Sequence, residues 1–229
     1  MSVETRSAPA PTAPKTSRAR PTQSERTALS RAKLIDAAVR CLNRCGYAAV
    51  TVAMVADEAG ISRGGMLHHF PTKVDLMLAV VEFASHSDER SSRVAAKPIA
   101  DKRGQFMALT DRAWKVISKP PAMARLEIMF AARSDPVLAA RLPDIFEKVE
   151  QTRRDNVFQY ALDIGITDRE AVDAMVCLHM AAMRGLAIEL MFTKDRALVQ
   201  RAYERLKVYK AGFVEAMLAA ESVKATPAP

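Results

Sequence analysis

Apolar residues recur along most of this chain at the 3.6-residue period of a helix, and no stretch alternates long enough to build a sheet. From Thr27 onward, Ile35, Ala38, Val39 and Leu42 form one stripe, with Asp36, Arg40, Asn43 and Arg44 opposite. Gly46 closes that helix as a C-cap glycine would. Thr51 suits the N-cap of "VAMVADEA", which Gly60 stops. Ser62 caps a third, short helix, and Pro71-Thr72-Lys73 breaks and restarts the chain. A longer helix then runs from about Thr72 to Arg90 through Val74, Leu76, Leu78 and Val81. After a polar join near 85–98, five more helices are expected over 99–118, 120–133, 136–164, 168–193 and 195–221. Their breaks fall at Pro120-Pro121, Ser134-Asp135-Pro136, Gly165 and Thr193-Lys194-Asp195. No repeat period emerges. The fold class is all-α.

The two ends read differently. Residues 1–24 are rich in Pro, Ala, Ser and Thr and nearly free of large apolar residues, so they cannot offset the entropy of ordering. They are expected to form a disordered arm, made basic by Arg6, Lys15, Arg18 and Arg20. The division that follows is an arm at 1–24, a three-helix unit at 25–72, a linker helix and larger helical domain at 73–221, and a disordered tail at 222–229.

The segment "ISRGGMLHHFPTK", residues 61–73, concentrates the candidate chemistry. A phosphate loop would need a preceding buried strand and a GK[ST] ending, and it has neither. His68 and His69 as zinc ligands would point about 100° apart on a helix, a poor start for one metal. Two helices joined by a short glycine turn satisfy the segment better. Ala56 is small where the helices would cross, Gly60 frees the tight turn, and Val55, Ala59, Ile61, Met66 and Phe70 supply apolar contacts. With Met66 facing inward at about 100° per residue, Gly64 and His68 fall on the far side and Gly65 and Leu67 on the flanks. Arg63 and His69 fall nearer the core edge. Glycine costs a helix about 1 kcal/mol against Ala, so the pair implies a backbone strip kept bare for close approach. A DNA major groove is such a surface.

Charge agrees. The chain carries 34 Lys/Arg against 26 Asp/Glu, and 11 of the basic residues against 6 of the acidic lie in residues 1–75. That excess points to a polyanionic partner. Cys41, Cys45 and Cys177 are an odd set with no signal-like stretch ahead of them, which fits a reduced cytoplasmic protein. Cys41 and Cys45 share a helix face and read as packing residues rather than a metal or redox pair. No apolar run is expected to reach the roughly 18 residues of a membrane span.

Residues 32–82, "AKLIDAAVRCLNRCGYAAVTVAMVADEAGISRGGMLHHFPTKVDLMLAVVE", resemble the DNA-binding domain of TetR-family transcriptional regulators. The resemblance rests on Gly-Tyr before Thr51, the Ala-Gly-Ile-Ser turn, the His-Phe-Pro-x-Lys run and the long helix after it. It implies a helix-turn-helix in three N-terminal helices, a C-terminal helical ligand-binding and dimerisation domain, and repression relieved by a small molecule. By position it implies DNA-facing roles for Thr51, Arg63, Gly64, Gly65, Leu67, His68, His69 and Lys73, with Lys73 on a phosphate. Where the family usually has Tyr this chain has Leu67, which offers an apolar contact and no phenolic hydrogen bond.

The second domain follows the family only in outline. Residues 174–192 are apolar nearly all round, as in a helix buried on several sides. With Leu198, Tyr203, Leu206, Phe213 and Leu218 of the last helix they match where the family builds its four-helix dimer interface. Arg184 requires a carboxylate, from the protein (such as Glu189 or Glu127), a partner subunit or a ligand. Trp114, Phe130, Phe158, His179, Met183 and Arg184 are the candidate effector-binding residues, for a largely apolar effector. No nucleophile–base pair, metal cluster or phosphate loop is present, and neither enzymatic activity nor a cofactor is expected. The expected function is a homodimeric, ligand-responsive repressor of a near-palindromic double-stranded operator. The alternative is an architectural or scaffold DNA-binding protein with no effector.

Overall fold

The computed structural model describes residues 22–94 and 101–225. Among these are nine helices and no strand: α1 (Gln23–Ala49), α2 (Val52–Ala59), α3 (Arg63–His69), α4 (Lys73–Val94), α5 (Lys102–Ile117), α6 (Pro120–Ala131), α7 (Pro136–Leu162), α8 (Arg169–Phe192) and α9 (Arg196–Ala225). Local chemistry sets most boundaries. Thr22 and Glu25 close a capping box at the start of α1, and Thr72 and Asp75 exchange the same pair of bonds at α4. Asp101, Asp135 and Asp168 cap α5, α7 and α8, and prolines occupy the first turns of α6 and α7.

The ends differ from expectation. The Thr22 cap starts α1 two residues inside the segment expected to be disordered, and the rest of that arm lies outside the described residues. α9 likewise continues through Ala225, into the expected tail. A membrane-length helix also exists after all: α8 has an 18-residue window of mean hydropathy 1.5. It packs on α5, α7 and α9, so its apolar character is used, on that side, inside the bundle.

Two hydrophobic clusters organise the chain. One joins α1 to α4 with Ala124 and Ile128 of α6 and Leu138 and Leu142 of α7. The other gathers α5, α8, α9 and the distal half of α7 around Phe106, Met175, Met183 and Leu206. α1 bends at Gly46, whose φ of 72° and ψ of 169° lie where essentially only glycine sits. A Cβ there would stand 2.9 Å from Glu127 Oε1.

The second cluster buries a charge. Lys210 is 2% exposed, donates to the Phe106 carbonyl at 2.5 Å and lies over the Phe106 ring. Burial pushes its pKa from 10.5 down to about 7, against a weaker opposing pull from Asp111. Between those pH values the unfolded chain holds a proton that the folded chain has released. Stability should therefore climb as pH rises across that window. Lys210→Met should raise the melting temperature at neutral pH and flatten the climb, as thermal unfolding of both proteins between about pH 6 and 10 would read.

Candidate nucleic-acid interface

The turn between α2 and α3 is built as the sequence requires. Gly60 adopts the left-handed conformation at φ 64°, and the Ile61 N–H returns to the Ala56 carbonyl at 3.0 Å. Ala56 is buried where the two helices meet. The Thr51 hydroxyl accepts the Met54 N–H, and the Ser62 hydroxyl accepts the Gly65 N–H at 3.1 Å. A seven-residue helix cannot persist alone. Met66 and Phe70, 0% and 2% exposed, anchor α3 to the first cluster, and Arg31 covers the Phe70 ring at 4.8 Å.

That anchoring fixes what faces outward. Arg63, Gly64, Leu67 and His68 are exposed, while Gly65 and His69 are half-buried. Arg63, whose helical angle lies near the core edge, reaches out from it as a long side chain can. Gly64 is open: nothing lies within 4 Å of where its Cβ would be. Gly65 is crowded, since a Cβ would meet Ile61 Cγ2 at 3.1 Å and Ser62 Oγ at 3.3 Å. His69 has its pKa lowered by burial first, then by His68 and Arg31. Thr51 is exposed at the start of α2.

Lys73 turns inward. Its ammonium donates to the Tyr47 carbonyl at 2.6 Å and sits over the Tyr47 ring at 4.0 Å, with burial lowering its pKa. One of its three N–H donors is thus committed within the protein. Tyr47 is the residue that sequence reasoning passed over. Its N–H donates to Glu127 at 2.9 Å and its hydroxyl to Asp135, so it joins the end of α1 to α6 and α7. Gly46-Tyr47 stood out in the sequence, yet nothing there shows which acids, 80 and 88 residues away, would meet it.

Residues 34–80 match the bacterial regulatory proteins of the tetR family. Over 182 residues the chain is 30% identical to the HTH-type transcriptional regulator CymR of Pseudomonas putida, covering 80% of this chain and 89% of CymR. The chain belongs to the TetR family. Its fold is also that of a TetR transcription regulator from Haloarcula marismortui, at TM-score 0.60 and 20% identity over 83% of this chain and 98% of that one. A transcriptional regulator from Saccharomonospora viridis, solved in complex with choline, superposes at TM-score 0.56 with 20% identity over 80% and 95% of the two chains.

As a TetR-family regulator the chain is a DNA-binding transcription factor with its helix-turn-helix at α2–α3. Of the residues expected to hold an effector, Trp114, Phe158 and Met183 gather at the second cluster, while Phe130 stands apart. Trp114 stacks on Tyr203 at 4.7 Å, Phe158 lies under Arg169, and Met183 is packed in the second cluster. Phe130 is 57% exposed on α6, because its helix buries the opposite face against α1 and α4. His179 is buried with Nδ1 3.1 Å from the Met175 carbonyl and Nε2 without a hydrogen bond. Arg184 pairs with Glu150 of α7, rather than with Glu189 or Glu127, and lies over Phe146 at 5.6 Å. Among the described residues no group of three or more His, Cys, Asp or Glu side chains is placed to hold a metal ion.

The two glycines now separate. Gly64→Ala should raise the melting temperature, worth roughly 0.5–1 kcal/mol of helix stability. Gly65→Ala should not, because its methyl crowds Ile61 and the Ser62 cap. Equal melting temperatures for the two variants would show that Ile61 and Ser62 yield freely.

Proposed function

We propose that this chain is a homodimeric, ligand-responsive repressor whose subunits each read one half of a near-palindromic operator, acting in the cytoplasm. The observation that carries it is the outward strip of α3, where Gly64 leaves backbone open between Arg63, Leu67 and His68. A helix bare at that point can seat its backbone close to base edges and thymine methyls. Arg63 has the reach and fork to donate twice to a guanine, and Leu67 offers apolar contact. Thr51, Gly65, His69 and the two free donors of Lys73 complete the proposed DNA-facing set, in supporting roles to sugar and phosphate.

The dimer reading rests on α8 and α9. Leu178, Leu198, Val208 and Tyr209 are each more than half exposed, too much apolar surface for a bundle that stays single. This set differs from the expected one: Tyr203 and Leu206 are buried within the chain and Phe213 and Leu218 half-buried, leaving only Leu198 of those five facing out. Two subunits so joined would present recognition helices to successive major grooves, about 34–36 Å apart. An effector that changes that separation by a few ångströms would cost one half-site. The choline-bound Saccharomonospora viridis regulator, similar in fold, supports a ligand-binding body.

Selection from random duplexes should return a near-palindrome. Against it Arg63→Ala should relax preference at one base pair of each half-site, by about 1–3 kcal/mol. Equal losses on operator and random duplex would reduce Arg63 to a phosphate contact. Tyr209→Glu should keep the helical signal yet give a monomer by sedimentation, with affinity falling to that of one half-site. A dimer that survives this change would place the interface elsewhere.

A further inference from the structure

Among the described residues, the one charge lining the groove between α6 and α7 is a guanidinium. This groove has a volume of about 380 Å³, near the lower end of small-molecule sites. Met129, Ala132, Leu142 and Phe146 form its apolar lining. Arg133 lines it too, exposed and without an ion pair among the described residues. Two neighbouring acids are engaged elsewhere, Asp135 capping α7 and accepting the Tyr47 hydroxyl and Glu147 pairing with Arg154, while Asp144, next to Pro143, is exposed and does not line the groove. Such an open groove is complementary to a molecule with an apolar body and one anionic group.

Its position gives occupancy a consequence. Leu142 belongs to the hydrophobic cluster that anchors α3, and Met129 and Ala132 pack against that cluster. The same two helices hold Tyr47, through Glu127 on α6 and Asp135 at the head of α7, and Arg141 of α7 pairs with Asp75 of α4 at 2.8 Å. Pro143, inside α7 and lining the groove, has no N–H to give the Ala139 carbonyl one turn earlier. α7 therefore lacks one ladder bond at the groove, where a helix bends most readily. A body wedged between Met129 and Phe146 would swing the first turns of α7 about Pro143 and shift Asp135 against Glu127.

We propose that this groove is an effector site for a small amphiphilic anion: a ring-sized apolar body on Met129, Leu142 and Phe146, with its carboxylate or sulfonate on Arg133. It rests on the ligand-responsive reading above and locates that response at α6–α7.

The probe is 8-anilinonaphthalene-1-sulfonate, with N-phenyl-1-naphthylamine as the same body without the anion. The sulfonate should bind with saturable fluorescence at one site per chain. Arg133→Gln should weaken it about tenfold, the worth of one charge-assisted hydrogen bond, and leave the neutral amine nearly unaffected. Ala139→Trp, at an exposed position that lines the groove, should remove both while the melting transition persists. Saturating sulfonate should also lower affinity for the selected operator in the parent and not in Ala139→Trp. Sulfonate binding unchanged by both substitutions would overturn the groove as the site, and operator release by some other compound would then still uphold the ligand-responsive reading. Binding lost in both variants, with operator affinity unmoved by the sulfonate in the parent, would overturn the effector role of the groove.

Discussion

Every polar group of Tyr47 is tied to a different helix. Its N–H goes to Glu127 on α6, its carbonyl receives Lys73 of α4, and its hydroxyl goes to Asp135 at the head of α7. Burial and the Asp135 bond both keep the phenol protonated far above neutral pH. In this setting a lost partner leaves a poorly solvated polar group, at about 1–3 kcal/mol each. Gly46 makes the arrangement reachable, because its backbone conformation turns α1 away just before Tyr47. The orientation of the helix-turn-helix relative to the body depends on this junction.

The packing beneath the helix-turn-helix does not stop at residue 72, where the helical pattern pauses. The core beneath α3 continues through Ala124, Ile128, Leu138 and Leu142 into α6 and the first turns of α7. α7 is shared: Leu138 and Leu142 belong to the DNA-binding end, while Ala161 belongs to the distal cluster. Pro143 lies on the DNA-binding side of the changeover, which falls between Ile145 and Val157, and removes one bond from the helix ladder there. A displacement in the body thus has a short path to α1 and α4, through packed side chains and the Glu127–Tyr47, Asp135–Tyr47 and Arg141–Asp75 contacts.

Legibility in the sequence followed the range of the interaction. The α2–α3 turn, the inward Met66 and Phe70, the outward Gly64 and most helix boundaries rest on contacts within a few residues, and periodicity and caps exposed them. Tyr47, Arg184 and Phe130 depend on partners that only the packed chain brings together. Periodicity identifies an apolar stripe but not what covers it, so the five apolar residues of the last helix read as one surface. In the fold Tyr203 and Leu206 turn into the chain, and Val208 and Tyr209 turn out. Arg184 needed a carboxylate on physical grounds, and its being Glu150 follows from how α7 crosses α8. The effector candidates were the weakest reading because bulk and aromaticity describe a core as well as a pocket.

Charge and close approach are linked at the recognition surface. Of the 11 basic residues up to position 75, four precede residue 22 and face one acid there, while the folded head carries seven against five. Arg40 and Arg44 of that head are held by Glu58, and Arg40 also by Asp36. Lys73 is half-withdrawn beneath Tyr47. Arg26, Arg31, Lys33 and Arg63 have no ion pair among the described residues, and Arg63 is the one Lys or Arg on α3. Phosphate neutralisation is long-ranged and indifferent to sequence, whereas hydrogen bonds and methyl contacts at base edges act only at contact distance. Free cations of the head can position it on a phosphate backbone, but only short-range contacts can carry discrimination. On the proposed reading, the open backbone at Gly64 on the outer face of α3 would lower the distance at which those contacts begin, in return for its cost in helix propensity.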